Sequence, residues 1–324
     1  MKRILIFSNG EKIGDGIIKL PLIREIFNNY SEYEITWLTY GNTVYNNTLK
    51  NLSSKFINKV ISNSQLSIIP WKKISSIYDF ENEFYDIIID TQKTVLKTLS
   101  LKRIKSKIFI SATASWLFSD LKLDKIDNKD KYYVEKLYDL IGLPLNRNLV
   151  YKNSFFFDRN LMKILDKIFI NKKNCIGIAP GSGENNKKWN INNYIEISKY
   201  FEKLGYQMVY FVGPDDKFEK QKILEVFPDA FFPEDLIKDF TGPEVVMAST
   251  NFLLCSLAND SGVSHMLSTN ISPLIKLFAE KNPIKFTPSN TLIETISAKT
   301  FQSNDINKIP VNYVIKKIEN LLTN

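Results

Sequence analysis

A chain of 324 residues is long for one compact domain and suits two, at roughly 100–200 residues each. With 44% hydrophobic and 24% charged residues it has the make-up of a folded globular protein, which excludes disorder as its resting state. A net charge of +8 suits a phosphate-rich partner or an anionic membrane face, or else a solvated basic surface; its lysines are dispersed, and no basic arm with interleaved aromatics marks a nucleic-acid partner.

In chain order, Ile4-Leu5-Ile6-Phe7 is a short continuous apolar run, the pattern of a strand buried on both faces of a parallel sheet. Gly14-Asp15-Gly16 follows and opens a helical stretch through Phe27. Glu34–Thr39, Tyr85–Asp90 and Ser106–Ile110 read as further strands, and strands alternating with helices imply right-handed βαβ units. The pattern restarts at Cys175-Ile176-Gly177-Ile178-Ala179, which leads into Pro180-Gly181-Ser182-Gly183. A helix over Asn192–Leu204 ends at Gly205, a natural C-cap. Gln207–Val212, Phe252–Cys255 and Leu274–Phe278 read as the strands of a second sheet, and Val311–Leu322 as a terminal amphipathic helix. Two α/β halves meet near residues 150–160.

Both cysteines, Cys175 and Cys255, lie in apolar runs and read as buried thiols rather than a disulfide framework. With one histidine, His265, and no cysteine pair at ligand spacing, neither a metal nor a cofactor is expected. The first apolar run is too short for a secretion signal, and none approaches the roughly 20 apolar residues that span a bilayer. A cytoplasmic protein is expected, possible peripheral contact with the inner membrane included.

Three segments carry chemistry. Gly14, Asp15 and Gly16 lie where a parallel sheet presents its ligand edge; Asp15 suits a general base on an acceptor hydroxyl, or a helix-capping carboxylate. Ser182, Lys187, Lys188 and Trp189 follow a strand through small residues whose N–H groups can cradle an anion; the alternative is a surface turn with two solvated lysines and a core tryptophan. Asn259-Asp260-Ser261-Gly262-Val263-Ser264-His265 joins a strand to a helix, so Ser261 and Gly262 sit where unpaired N–H groups and partial positive charge favour a diphosphate. His265 would lie one turn in, within reach of a bridging or leaving oxygen. Asp260 suits a sugar hydroxyl or holds the loop.

In this order and spacing the three segments resemble glycosyltransferase family 9, the ADP-heptose:lipopolysaccharide heptosyltransferases. Ile13-Gly14-Asp15 through Leu20-Pro21 looks like its IGD…LP motif, Pro180-Gly181-Ser182 with Lys187-Lys188-Trp189 like PG(A/S)…K-x-W, and Asn259-Asp260-Ser261-Gly262 with His265 like NDTG-x-x-H. The resemblance implies a GT-B architecture, two Rossmann-like parallel-sheet domains facing a cleft. Residues 1–155 would bind the acceptor and 156–308 the nucleotide sugar, with the helix in 309–324 packing back on the first domain.

It further implies an inverting, metal-independent transfer from an ADP-heptose-type donor to a lipopolysaccharide core or related surface glycan. Asp15 would then be the base, and Lys187, His265 and the N–H groups of Ser261 and Gly262 would hold the diphosphate. Asp260 would meet the heptose and Asp216, after Gly213-Pro214, the ribose, with Lys188 a further donor-side candidate. Ser261 stands where the family has Thr, and Asn190 where Pro often follows the Trp. Two other readings stay open: a GT-B transferase using another nucleotide sugar such as a UDP-sugar, and a non-catalytic nucleotide-sugar-binding protein.

Overall fold

The computed structural model of the chain describes residues 1–69, 71–123, 132–152, 155–269, 272–283, 287 and 292–323. The chain divides into two units, Met1–Lys152 and Asn153–Asn324.

In the first unit the apolar run becomes β1 (Lys2–Ser8), followed by α1 (Ile13–Asn29), β2 (Tyr33–Thr39), β3 (Lys59–Ile61), β4 (Phe84–Asp90), α2 (Val95–Leu101) and β5 (Lys105–Ser111). All neighbours are parallel, in the order β3-β2-β1-β4-β5. Both faces of β1 are covered, which is why Ile4, Leu5, Ile6 and Phe7 run unbroken by polar residues. α1 continues through Pro21, a residue that removes one helical hydrogen bond, with the helix seated by the buried Ile17, Leu22, Ile23 and Ile26.

The second unit contains β6 (Cys175–Ala179), α3 (Ile191–Lys203), β7 (Gln207–Tyr210), α4 (Lys217–Val226), β8 (Leu253–Asn259), α5 (Gly262–Leu267), β9 (Leu274–Phe278), β10 (Ile293–Ser297) and α6 (Val311–Thr323). Its sheet is also parallel, in the order β7-β6-β8-β9-β10. The strand order therefore reverses between β1 and β4 in one unit and between β6 and β8 in the other. At such a reversal the two flanking connections leave on opposite faces and open a crevice at the carboxyl edge, the usual ligand position in open α/β sheets.

The terminal helix is counted in the second unit and seated in its core. Its apolar stripe, Val314, Ile315 and Ile318, is buried in the same core as Trp189, Tyr194 and Cys255. Two further ties fix it there: Trp189 Nε1 donates to the carbonyl of Ile309 at 3.2 Å, and Tyr200 Oη to Glu319 at 2.6 Å. Both cysteines are free and buried. Among the described residues no helix is long and apolar enough to cross a membrane.

Candidate active site

The second unit's crevice is stitched together by Asn259, the last residue of β8. Its Nδ2 donates to the carbonyl of Pro180, the first residue after β6, at 2.7 Å. Its Oδ1 accepts from the backbone N–H of Trp189 at 3.2 Å and from Tyr194 Oη at 2.8 Å. One buried amide thus fixes the turn after β6 relative to the turn after β8.

The next residue, Asp260, carries the site's electrostatics. It is almost fully buried, and its Oδ1 lies 3.0 Å from Nζ of Lys276, a lysine in the middle of β9 that is 2% exposed. Its Oδ2 lies 4.0 Å from Nζ of Lys281. Lys187, on the single turn Asn185–Lys187, joins Asp260 and Lys281 in lining one small pocket with Glu184 and Phe278, and its ammonium pairs with Glu184. Three ammonium groups therefore gather around one buried carboxylate.

The crowding shows in their acidities. Burial pushes Lys276 below the usual lysine range despite Asp260, and Lys281 and Lys187 push it further. Lys281 is lowered by burial and by Lys187. At Lys187 burial acts in the same direction, but Glu184 outweighs it and the ammonium is held above its ordinary value. His265 is lowered well below the imidazole range, by burial first and then by Lys276 and Lys281, so it is a neutral ring at neutral pH.

At the N-terminus of α5, Ser261 and Ser264 form a reciprocal cap. Ser261 Oγ accepts from the N–H of Ser264 at 3.4 Å, and Ser264 Oγ from the N–H of Ser261 at 3.2 Å. In this arrangement the N–H of Ser261 is engaged by Ser264 of its own helix. Gly262 is the first residue of α5, where backbone donors lie outside the helical ladder.

In the first unit, α1 begins one short loop after β1. Its N-cap is Lys12, without a side-chain capping bond, and Asp15 sits exposed in the first turn. Among the described residues Asp15 makes no capping hydrogen bond, although its place in the first turn is favourable near the positive helix end. Beneath it lies a buried ion pair: Lys19 Nζ is 3.0 Å from Glu11 Oε1 and 3.0 Å from Ser8 Oγ, while Thr43 Oγ1 donates to Glu11 Oε2 at 2.5 Å. Burial acts against the charge on Lys19, but Glu11 outweighs it and holds the ammonium above the ordinary lysine range. The pair pins the β1–α1 loop to the loop after β2.

Compared with known families, residues 78–312 match the model of glycosyltransferase family 9 (heptosyltransferase). The chain belongs to glycosyltransferase family 9. It is an enzyme of the glycosyl-transferring class. A curated relative, the lipopolysaccharide core heptosyltransferase OpsX of Haemophilus influenzae, is 23% identical over 305 residues, 88% of this chain and 81% of that one. Among solved structures, a family 9 glycosyl transferase from Veillonella parvula superposes with a TM-score of 0.69 at 17% identity, over 99% of this chain and 97% of its own. E. coli heptosyltransferase WaaC with ADP gives 0.65 at 16% identity, over 98% and 99%. These likenesses show the fold, a GT-B architecture of two Rossmann-like domains.

The Ile13-Gly14-Asp15 segment lies outside the matched residues of this family 9 enzyme. Within the second unit, the fold brings Lys187, Asp260 and the His265 environment together at one crevice, with Ser182 buried in the same turn as Gly181. Lys188 and Asp216 are brought together as well, but with each other: Lys188 Nζ lies 2.7 Å from Asp216 and 2.8 Å from Glu219. Asp216 is packed so closely on Gly181 that a Cβ there would meet its Oδ2 at 2.1 Å. Lys188 is thereby a strut between the β6 and β7 turns rather than a free cation.

Trp189 is core, 1% exposed, edge-on to Tyr194. Gly16 is likewise a packing residue. A Cβ would meet Val44 Cγ2 at 2.4 Å, and its carbonyl accepts from Tyr45 Oη at 2.9 Å. Gly14 keeps its place in the first turn of α1, part-exposed. The residues missed from sequence are Lys276, Lys281, Glu11 and Lys19. A lysine inside the otherwise apolar run Leu274–Phe278 was the one available signal.

Proposed function

We propose that this family 9 enzyme transfers heptose from an ADP-heptose-type donor to a lipopolysaccharide core or related surface glycan, inverting the anomeric centre without a metal. The observation that carries this reading is the gathering of Lys187, Lys276 and Lys281 around Asp260 at the strand-order reversal of the second unit. Glu184 and Glu280 bring the carboxylates there level with the three ammoniums, so an anion enters by drawing Lys187 away from Glu184. A diphosphate is such an anion, and stabilising charge on a departing diphosphate is the leading electrostatic term such chemistry requires.

In this mechanism Lys187 leaves Glu184 for the donor phosphates, with Lys281 as the second cation and the N–H of Gly262 as a backbone donor. Lys276 balances Asp260 and keeps its carboxylate in place beside the sugar. The neutral imidazole of His265 donates a hydrogen bond to the leaving oxygen without adding a further cation beside Lys276 and Lys281. The acceptor hydroxyl attacks the anomeric carbon as the bond to the β-phosphate breaks, and Asp15 takes its proton. A weak carboxylate base suffices when that proton leaves late in an oxocarbenium-like transition state. Asp216 meets the ribose while held by Lys188. The acceptor is a glycolipid approached at the cytoplasmic face of the inner membrane. The names of the relatives, a lipopolysaccharide core heptosyltransferase and a heptosyltransferase with ADP, support donor and acceptor alike.

Calorimetry with ADP and UDP, followed by turnover of ADP-heptose on a lipopolysaccharide core acceptor, tests the reading. ADP binding and transfer are expected. Binding of UDP in place of ADP would overturn the donor, and ADP binding without transfer to any acceptor would make the chain a binding protein.

A further inference from the structure

The first unit exposes an apolar surface that its own fold does not use. α2 turns Thr98 and Leu101 inward and leaves Val95, Leu96 and Leu99 outside, between 43% and 54% exposed. Two loops adjoin it. Arg103, just after α2, donates to the carbonyls of Ser67 at 3.3 Å and Ile69 at 3.1 Å and to that of Lys72, so the stretch carrying the exposed Ile68 and Trp71 lies against this end of the helix. Thr98 Oγ1 lies 2.9 Å from Thr113 Oγ1, and Lys102 Nζ donates to the carbonyl of Phe118 at 2.6 Å, which sets the exposed Leu117 beside α2 as well. Trp71 is 86% exposed and Leu117 71%.

Scattered apolar residues on a surface need no explanation, whereas a contiguous group on neighbouring elements marks a contact. Its surroundings say with what. Lys72, Lys93 and Lys102 are exposed around it, and Lys97 projects from the same helix. Asp120 answers Lys102 only loosely, at 4.0 Å. Protein partners disfavour lysine at the core of an interface. Apolar and aromatic side chains with a lysine fringe instead match an anionic bilayer, whose headgroups attract the ammoniums while the acyl boundary takes the apolar groups.

The patch also starts at the working edge of the unit. Lys97 Nζ donates to Asn9 and lies 4.0 Å over the ring of Tyr40, and these two residues directly follow β1 and β2. That is the edge from which α1 and Asp15 rise.

We propose that this face of α2 with its two adjoining loops docks the enzyme on an anionic lipid surface. The inference rests on the glycolipid-acceptor reading, which supplies the reason for docking next to Asp15. The test is co-sedimentation of the full chain with phosphatidylcholine vesicles with and without phosphatidylglycerol, in the absence of donor and acceptor. Binding is expected only to the anionic vesicles and is expected to weaken with salt. Trp71→Ser/Leu96→Ser/Leu117→Ser should abolish it, and Lys72→Glu/Lys93→Glu should lower the binding constant by about fivefold or more per lysine.

Both variants should keep the wild-type melting midpoint and ADP affinity. Absence of wild-type binding to anionic vesicles, or equal binding by the variants, would overturn the proposal. So would self-association of the wild type that the apolar variant abolishes while vesicle binding is absent, since the patch would then belong to a second copy. Vesicle binding alongside failed ADP binding would instead count against the donor reading alone.

Discussion

The side-chain amide of Asn259 donates to the carbonyl of Pro180 at 2.7 Å, across the point where the strand order of the second sheet reverses. The same amide's oxygen holds Trp189 and Tyr194. Asn259→Ala leaves three buried polar groups without partners, and a buried unpaired group costs about 1–3 kcal/mol. A destabilisation of about 3 kcal/mol or more is expected in denaturant melts, with weakened ADP binding as the two turns lose their registration. An unchanged midpoint would show that the bridge is dispensable.

Lys187 and Lys281 should divide the phosphate affinity between them. Charged hydrogen bonds contribute about 1.5–3 kcal/mol, so Lys187→Ala and Lys281→Ala are each expected to weaken ADP binding about tenfold to a hundredfold in calorimetry. Lys188→Ala should do less, because its ammonium is already committed to Asp216 and Glu219. A larger loss at Lys188 than at Lys187 would reverse these assignments.

Asp15 is exposed and accepts no hydrogen bond from the described residues, so Asp15→Asn should leave the melting midpoint and ADP affinity as they are. As the base it should lower kcat by about 10²–10⁴. Steady-state kinetics beside a thermal melt separates the two effects, and a fully active variant removes Asp15 from the chemistry.

His265 predicts a pH dependence of stability. Its imidazole is held well below its unfolded value of about 6.5, by burial and then by Lys276 and Lys281. Below about pH 6.5 the unfolded chain therefore binds a proton that the folded chain refuses. The unfolded state holds more protons, so stability falls as the pH drops from there towards the depressed folded value. Melts at pH 7 and pH 5 should show a larger acid loss for wild type than for His265→Gln. Equal losses would mean that the ring is solvated.

The strands were legible because burial on both faces leaves continuous apolar runs, as in Ile4–Phe7 and Cys175–Ala179. Both turns of the second unit's site were legible too, since small residues after a strand announce an exposed backbone. Partner choice was not. Lys276 reads as an interruption in an apolar strand, and only the adjacency of β8 and β9 shows that it meets Asp260. Lys188 and Asp216 each look like free ligand-binding groups until α4 and the β6 turn bring them together. The amphipathic period of the last helix was plain, whereas its destination depends on which unit offers an apolar groove.

Because Val314 and Ile318 close the second unit's core, each unit is one uninterrupted stretch of chain, and the polypeptide crosses between them once, at Lys152/Asn153. As built, one cut at Lys152/Asn153 separates the two units along the chain without severing a strand.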